Sequence, residues 1–183
     1  MIKHLAATII VYLACTIVYA HAETTVSIGF FSTGESAFEE VIGHPLEFSI
    51  ISNVYHYKNI YLQTGAHFWN KNTQFGDLNY SLDSLTVPLR ILYKQTLYKP
   101  VSFYIGCGLA PHFLIENFEK TEVYHSINQL VFLGLTTPIF SQKFRFNYEL
   151  EISKTNFSLV NNLSLNSVTM RFGITKNNLA LAR

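Results

Sequence analysis

Apolar residues alternate with polar or small ones along most of this chain, in stretches about the length of a membrane-crossing strand. Leu85, Val87, Leu89, Ile91 and Tyr93 interleave with Thr86, Pro88, Arg90, Leu92 and Lys94. Phe144, Phe146, Tyr148, Leu150 and Ile152 interleave with Arg145, Asn147, Glu149 and Glu151. Strand side chains point to opposite faces in turn, so each stretch has one greasy face and one charged face. In a soluble sandwich or barrel the greasy face is the core; in a membrane barrel it meets lipid and the charged face lines the lumen.

The alternation predicts eight strands, near residues 25–31, 46–55, 60–69, 85–94, 101–109, 127–136, 143–152 and 167–175. The sixth is the least regular, because Leu130-Val131-Phe132-Leu133 is apolar on both faces. Connections alternate between long and short, starting long after the first strand (Ser32–Pro45) and short after the second (His56–Asn59). The third connection carries Asn70, Lys71, Asn72, Gly76, Asp77 and Asn79, the fifth runs about Ala110–Ser126, and the seventh holds Asn156, Asn161 and Asn162. Those are long, whereas Gln95–Pro100 and Thr137–Gln142 are short. Such asymmetry suits an outer-membrane barrel whose N-terminus faces the periplasm. The expected fold is therefore all-β: an eight-stranded antiparallel up-and-down transmembrane barrel.

The N-terminus fits that picture. Met1-Ile2-Lys3-His4 is a short basic start, Leu5 to Ala20 is mostly apolar, and Ala20-His21-Ala22 has the small-x-small pattern of a signal-peptidase site. Residues 1–22 read as a signal peptide and 23–183 as one barrel domain. Beyond that leader there is no other apolar run long enough for a spanning helix, so a closed barrel is the remaining way across a bilayer. Of the 13 basic residues only Lys3 is lost with the leader, leaving the 12 acidic side chains balanced. No basic stripe indicates a nucleic-acid partner. Cys107 is the single cysteine after the leader and falls on the apolar register, as a small hydrophobe would.

Eight strands enclose a lumen that side chains largely fill. The inward set is expected to include Glu47, Gln63, His67, Arg90, Arg145, Glu149, Glu151 and Arg171. Charges of both signs in a low-dielectric interior must pair, so Glu47, Arg90, Arg145, Glu149, Glu151 and Arg171 read as a structural charge network rather than a solute path. Outward aromatics should mark the headgroup levels: Tyr55, Tyr57, Tyr61, Tyr93, Tyr98 and Phe140 near short turns, and Tyr80, Phe113, Phe118 and Tyr124 at the other end.

Catalytic chemistry has little support. A lipid-cleaving barrel would need a serine or histidine pair with an orienting acid on its rim, and His125-Ser126 is the only adjacent pair. No His-x-His, HExxH, CxxC or acidic calcium loop suggests a metal, and no glycine loop or dinucleotide fingerprint suggests a cofactor.

Leu85-Thr86-Val87-Pro88-Leu89-Arg90-Ile91-Leu92-Tyr93 resembles an L-x-x-P-L-x-x-x-Y strand of the small outer membrane protein beta-barrel domain family, often called porin-like. Lys99-Pro100-Val101 leading into Tyr104-Ile105-Gly106-Cys107-Gly108 is similar to that family's next strand, and Asn147-Tyr148-Glu149-Leu150 to its penultimate one. The resemblance implies an eight-stranded barrel in the outer membrane of a Gram-negative-type bacterium, with no catalytic residues to carry over. One departure is the C-terminus: Phe172 lies in the last strand, but about eleven residues follow it, where such barrels usually finish on an aromatic.

The expected role is structural or adhesive, with outer-membrane lipid around the barrel and a surface or host partner on its long loops. An exported soluble barrel holding a small apolar ligand is the alternative, and it requires the reverse face assignment. A lipid A-modifying barrel enzyme is a further alternative.

Overall fold

The computed structural model describes residues 23–33, 45–75, 78–98, 100–117, 121–139, 141–157 and 163–176. The expected leader, 1–22, and the tail after Lys176 lie outside these. The described chain forms nine strands: β1 (Thr24–Thr33), β2 (Leu46–Tyr57), β3 (Ile60–Phe75), β4 (Leu78–Thr86), β5 (Leu89–Tyr98), β6 (Val101–Asn117), β7 (Thr121–Ile139), β8 (Ser141–Phe157) and β9 (Leu163–Lys176). All pairings are antiparallel, and β1 pairs with β9, so the sheet closes on itself.

Nine strands make eight staves. β4 and β5 both lie between β3 and β6, end to end along one stave. The expected strand over 85–94 thus straddles a break at Val87-Pro88. Proline has no N–H to give a ladder, so the stave is interrupted there, while Val87 N donates instead to Pro111 O at 2.9 Å.

The long connections are also shorter than the pattern suggested. Most of the segments expected as loops after the third, fifth and seventh strands continue as paired ladder, Asn70–Phe75 against Leu78–Asp83, Pro111–Asn117 against Thr121–Ile127, and Ser153–Phe157 against Leu163–Ser167. Hydrophobic alternation reports a strand only where one face is buried against lipid or core. Beyond that level both faces can be polar, and backbone pairing alone sustains the hairpin. The short turn at Lys58-Asn59 places Lys58 at φ 53°, the left-handed conformation that a tight two-residue hairpin needs.

Burial is inside out relative to a soluble protein. Val26, Ile28, Phe30, Phe48, Leu89, Ile91, Val131, Leu133, Met170 and Ile174 are exposed, while Ser27, Ser49, Glu47, Arg90, Glu151, Thr169 and Arg171 are buried. The greasy face points outward around the ring, so the soluble barrel with an apolar interior is excluded. Strand β7 explains its irregular pattern: Leu130 and Phe132 point into the lumen while Val131 and Leu133 point out.

Candidate functional site

The lumen is organised around one row of side chains that runs across the ladders. Glu47 on β2 pairs with Gly29 on β1, Gly29 with Arg171 on β9, and Arg171 with Glu149 on β8. The row continues from Glu149 to Gly134 on β7 and from Gly134 to Tyr104 on β6. The two glycines are spacers. A Cβ at Gly29 would sit 3.0 Å from Arg171 Cγ, and one at Gly134 would fall 2.3 Å from the Tyr104 ring. Without side chains there, the long neighbours lean over them and reach the next charged residue.

Arg171 is the hub. Its Nε donates to Glu47 Oε1 at 2.5 Å, Nη1 to Glu149 Oε1 at 3.0 Å and Nη2 to Glu151 Oε1 at 2.9 Å. Nη2 also donates to His67 Nδ1 at 2.6 Å, and that nitrogen lies 3.3 Å from Glu47 Oε1. The second oxygen of Glu149 accepts from Arg90 Nη2 at 2.5 Å and from the Tyr104 hydroxyl at 3.1 Å. The Arg90 guanidinium lies 3.5 Å over the Phe132 ring. Planar guanidinium forks suit both carboxylate and aromatic partners, which is why arginine and not lysine occupies these places.

Of the residues assigned inward from sequence, Glu47, His67, Arg90, Glu149, Glu151 and Arg171 are buried and meet in this one network. Gln63 and Arg145 are half-buried nearer the end where β1 begins. Gln63 donates to Asn53 Oδ1 at 2.7 Å; Arg145 makes no ion pair among the described residues. The aromatic assignments divide. Tyr55, Tyr57, Tyr93 and Tyr98 are exposed near the short turns, and Phe113 is exposed at the opposite end. Tyr61, expected outward, instead packs against the lumen cluster of Leu92, Tyr104, Ala110, Leu130 and Phe132. Tyr61 shares the inward register of Gln63, His67 and Trp69 on β3, so the alternation of that strand itself turns it into the lumen. Phe118 and Phe140, and the side chains of Tyr80 and Tyr124, lie outside the described residues.

A second polar group was not legible in the sequence. Ser84 Oγ lies 2.8 Å from His112 Nε2, and Asn128 Nδ2 lies 3.4 Å from His112 Nδ1. Serine, histidine and amide in that order resemble the parts of a nucleophilic triad. All three are buried, however, and buried Trp69 and Leu82 with Leu114 pack in the same part of the lumen, Trp69 stacked on Phe31 at 5.7 Å. Ser84 does not line the cavity at the other end of the lumen, and the three groups pair with one another, so the group reads as satisfied lumen polarity. Among the described residues no set of three or more His, Cys, Asp or Glu is placed to hold a metal ion.

A closed ring of antiparallel strands, lipid-facing outside and charge-paired inside, defines a small transmembrane β-barrel of the outer-membrane type. No protein-family model and no curated protein matches the chain. Its likeness is to solved structures. Neisserial surface protein A superposes with a TM-score of 0.67 at 13% identity, over 86% of this chain and 97% of that one. Ail, the attachment invasion locus protein of Yersinia pestis, superposes with a TM-score of 0.56 at 13% identity, over 85% and 96%. The same protein in complex with the heparin analogue sucrose octasulfate gives 0.55 at 12%, over 85% and 97%. At these identities the likeness establishes the fold.

Proposed function

We propose that this chain is a non-enzymatic outer-membrane barrel that carries surface-interaction hairpins and conducts no solute. The observation that supports it most directly is the length of the β6–β7 ladder. It pairs without interruption from Ser102 with Thr136 to Asn117 with Thr121. At about 3.3 Å per residue and about 45° tilt, that ladder rises roughly 37 Å, against an apolar band about 25 Å tall. Roughly 12 Å of hairpin therefore stands clear of the lipid at the end away from Thr24 and Lys176.

Ail of Yersinia pestis was solved with a heparin analogue, and the sequence composition of the connecting segments here argues for a partner of another kind. In sequence, the segment between β1 and β2 and the segments of the three long hairpins carry Glu35, Glu39, Glu40, Asp77, Asp83, Glu116, Glu119 and Glu122 against Lys71, Lys120 and Lys154. That balance favours a basic partner over a sulfated polysaccharide. The test uses cells displaying the barrel, laid on polylysine-coated and on heparin-coated surfaces at physiological salt. Retention on polylysine that is lost when the β6–β7 hairpin is shortened supports the reading. Retention on heparin, or indifference to the hairpin, overturns it. Planar-bilayer recordings of the purified barrel should show no discrete openings, because Arg90, Phe132, Glu149 and Arg171 fill the lumen.

A further inference from the structure

Toward the end where β1 begins, the lumen opens into a cavity of about 50 Å³. We propose that this cavity is a binding site for a small carboxylate, held by Arg145 with Arg90 and Thr136.

Three observations converge on it. First, Arg145 lines the cavity, with Lys94 beside it in the lining, and has no ion partner among the described residues. Lys94 is itself paired only loosely, its Nζ lying 3.8 Å from Glu23 Oε2. Of the four cations in the lining, Arg90 and Arg171 are paired with Glu149 and Lys94 with Glu23, which leaves Arg145 as the one without an ion pair among the described residues. Second, two buried polar atoms in lining residues have no hydrogen-bond partner, Arg90 Nε and Thr136 Oγ1. Both residues are more than nine-tenths buried. Third, the carboxylates that line the cavity are already engaged. Glu149 accepts from Arg90, Arg171 and Tyr104, and Asn147 donates to Thr175 Oγ1. Asn53 donates to Glu23 Oε2 at 2.9 Å.

Water could satisfy the two orphaned donors, but it would leave Arg145 without a counter-ion. An anion does both. A volume of about 50 Å³ holds roughly four water-sized groups, the heavy-atom count of acetate. One unpaired guanidinium suits a monoanion rather than a phosphate dianion. The planar guanidinium fork suits a carboxylate better than a spherical halide.

The test is a titration of the detergent-solubilised barrel with ¹³C-acetate, followed by saturation-transfer NMR. Chloride and inorganic phosphate serve as competitors at matched ionic strength. The wild type should give a saturable signal that excess chloride and phosphate displace poorly. Arg145→Gln should weaken binding by about tenfold, and Thr136→Val by a smaller factor, while both keep the unboiled gel mobility of the closed barrel. Absence of saturation in the wild type, equal displacement by chloride or phosphate, or an unchanged signal in folded Arg145→Gln would overturn the proposal. If Arg145→Gln does not fold, the competition series on the wild type decides the question.

Discussion

Arg171 carries more of the lumen's electrostatics than any other side chain, since three carboxylates and a histidine depend on its five N–H donors. Replacing it with leucine strands those carboxylates in a low-dielectric interior. The expected cost is about 3–5 kcal/mol, seen as a fall in the temperature at which the unboiled gel band disappears. The carboxylates should not be equivalent. Glu149 binds Arg90, Arg171 and Tyr104, whereas Glu151 uses one oxygen and leaves Oε2 without a partner. Glu149→Gln should therefore lower that temperature clearly more than Glu151→Gln; equal shifts would mean that the network is not centred where the contacts place it. Gly134 offers a steric counterpart. Gly134→Val puts carbon where the Tyr104 ring and the Tyr148 carbonyl already are, and should destabilise by about 1–3 kcal/mol without touching a charge.

Strands differ in what their two ends do. In β8, Phe146, Tyr148, Asn147 and Glu149 belong to the lipid and lumen faces of the barrel, while Asn156 and Phe157 extend a hairpin with β9. The same division applies to β6 and β7, so the barrel should tolerate loss of the outer parts. Replacing Leu114–Tyr124 with Asn-Gly keeps every residue of the Arg171 network and every ladder pair from Ser102 to Phe113. The shortened protein should retain its heat-dependent mobility shift and lose surface retention. Loss of the shift instead would show that the projecting hairpin is needed for closure. The break at Pro88 divides a stave by partner: β4 pairs with residues 67–75 of β3 and β5 with residues 60–64, and both pair with β6 on their other side.

The balanced total charge conceals an uneven distribution along the barrel axis. Among the described residues, Lys58, Arg145 and Lys176 lie toward the end where the chain enters and leaves the ring, whereas Asp83 and the strand positions of Glu116 and Glu122 lie toward the hairpin side. Between them the lumen is sealed by paired charges and aromatics, and around them runs an apolar surface. Such a molecule should require detergent for extraction and migrate faster unboiled than boiled, even in 0.5 M salt, because the buried ion pairs are shielded from screening. Release into a detergent-free soluble fraction would contradict the lipid-facing assignment of Val26, Ile28, Phe48 and Ile91.

Much of this was legible in the chain. A period of two, read over strands such as Phe144–Ile152, separates the two faces, because a pleated strand leaves no freedom in which way successive side chains point. It identified Glu47, Arg90, Glu149, Glu151 and Arg171 as inward without any knowledge of their neighbours. Three things needed the closed sheet. Which face met lipid depended on burial around the whole ring, since alternation is symmetric between inside and outside. The ends of the long hairpins depended on backbone pairing, which leaves no hydrophobic signature. The partners inside the lumen depended on cross-strand register: Glu47 and Arg171 are 124 positions apart and meet because Gly29 lies between them and has no side chain to keep them apart.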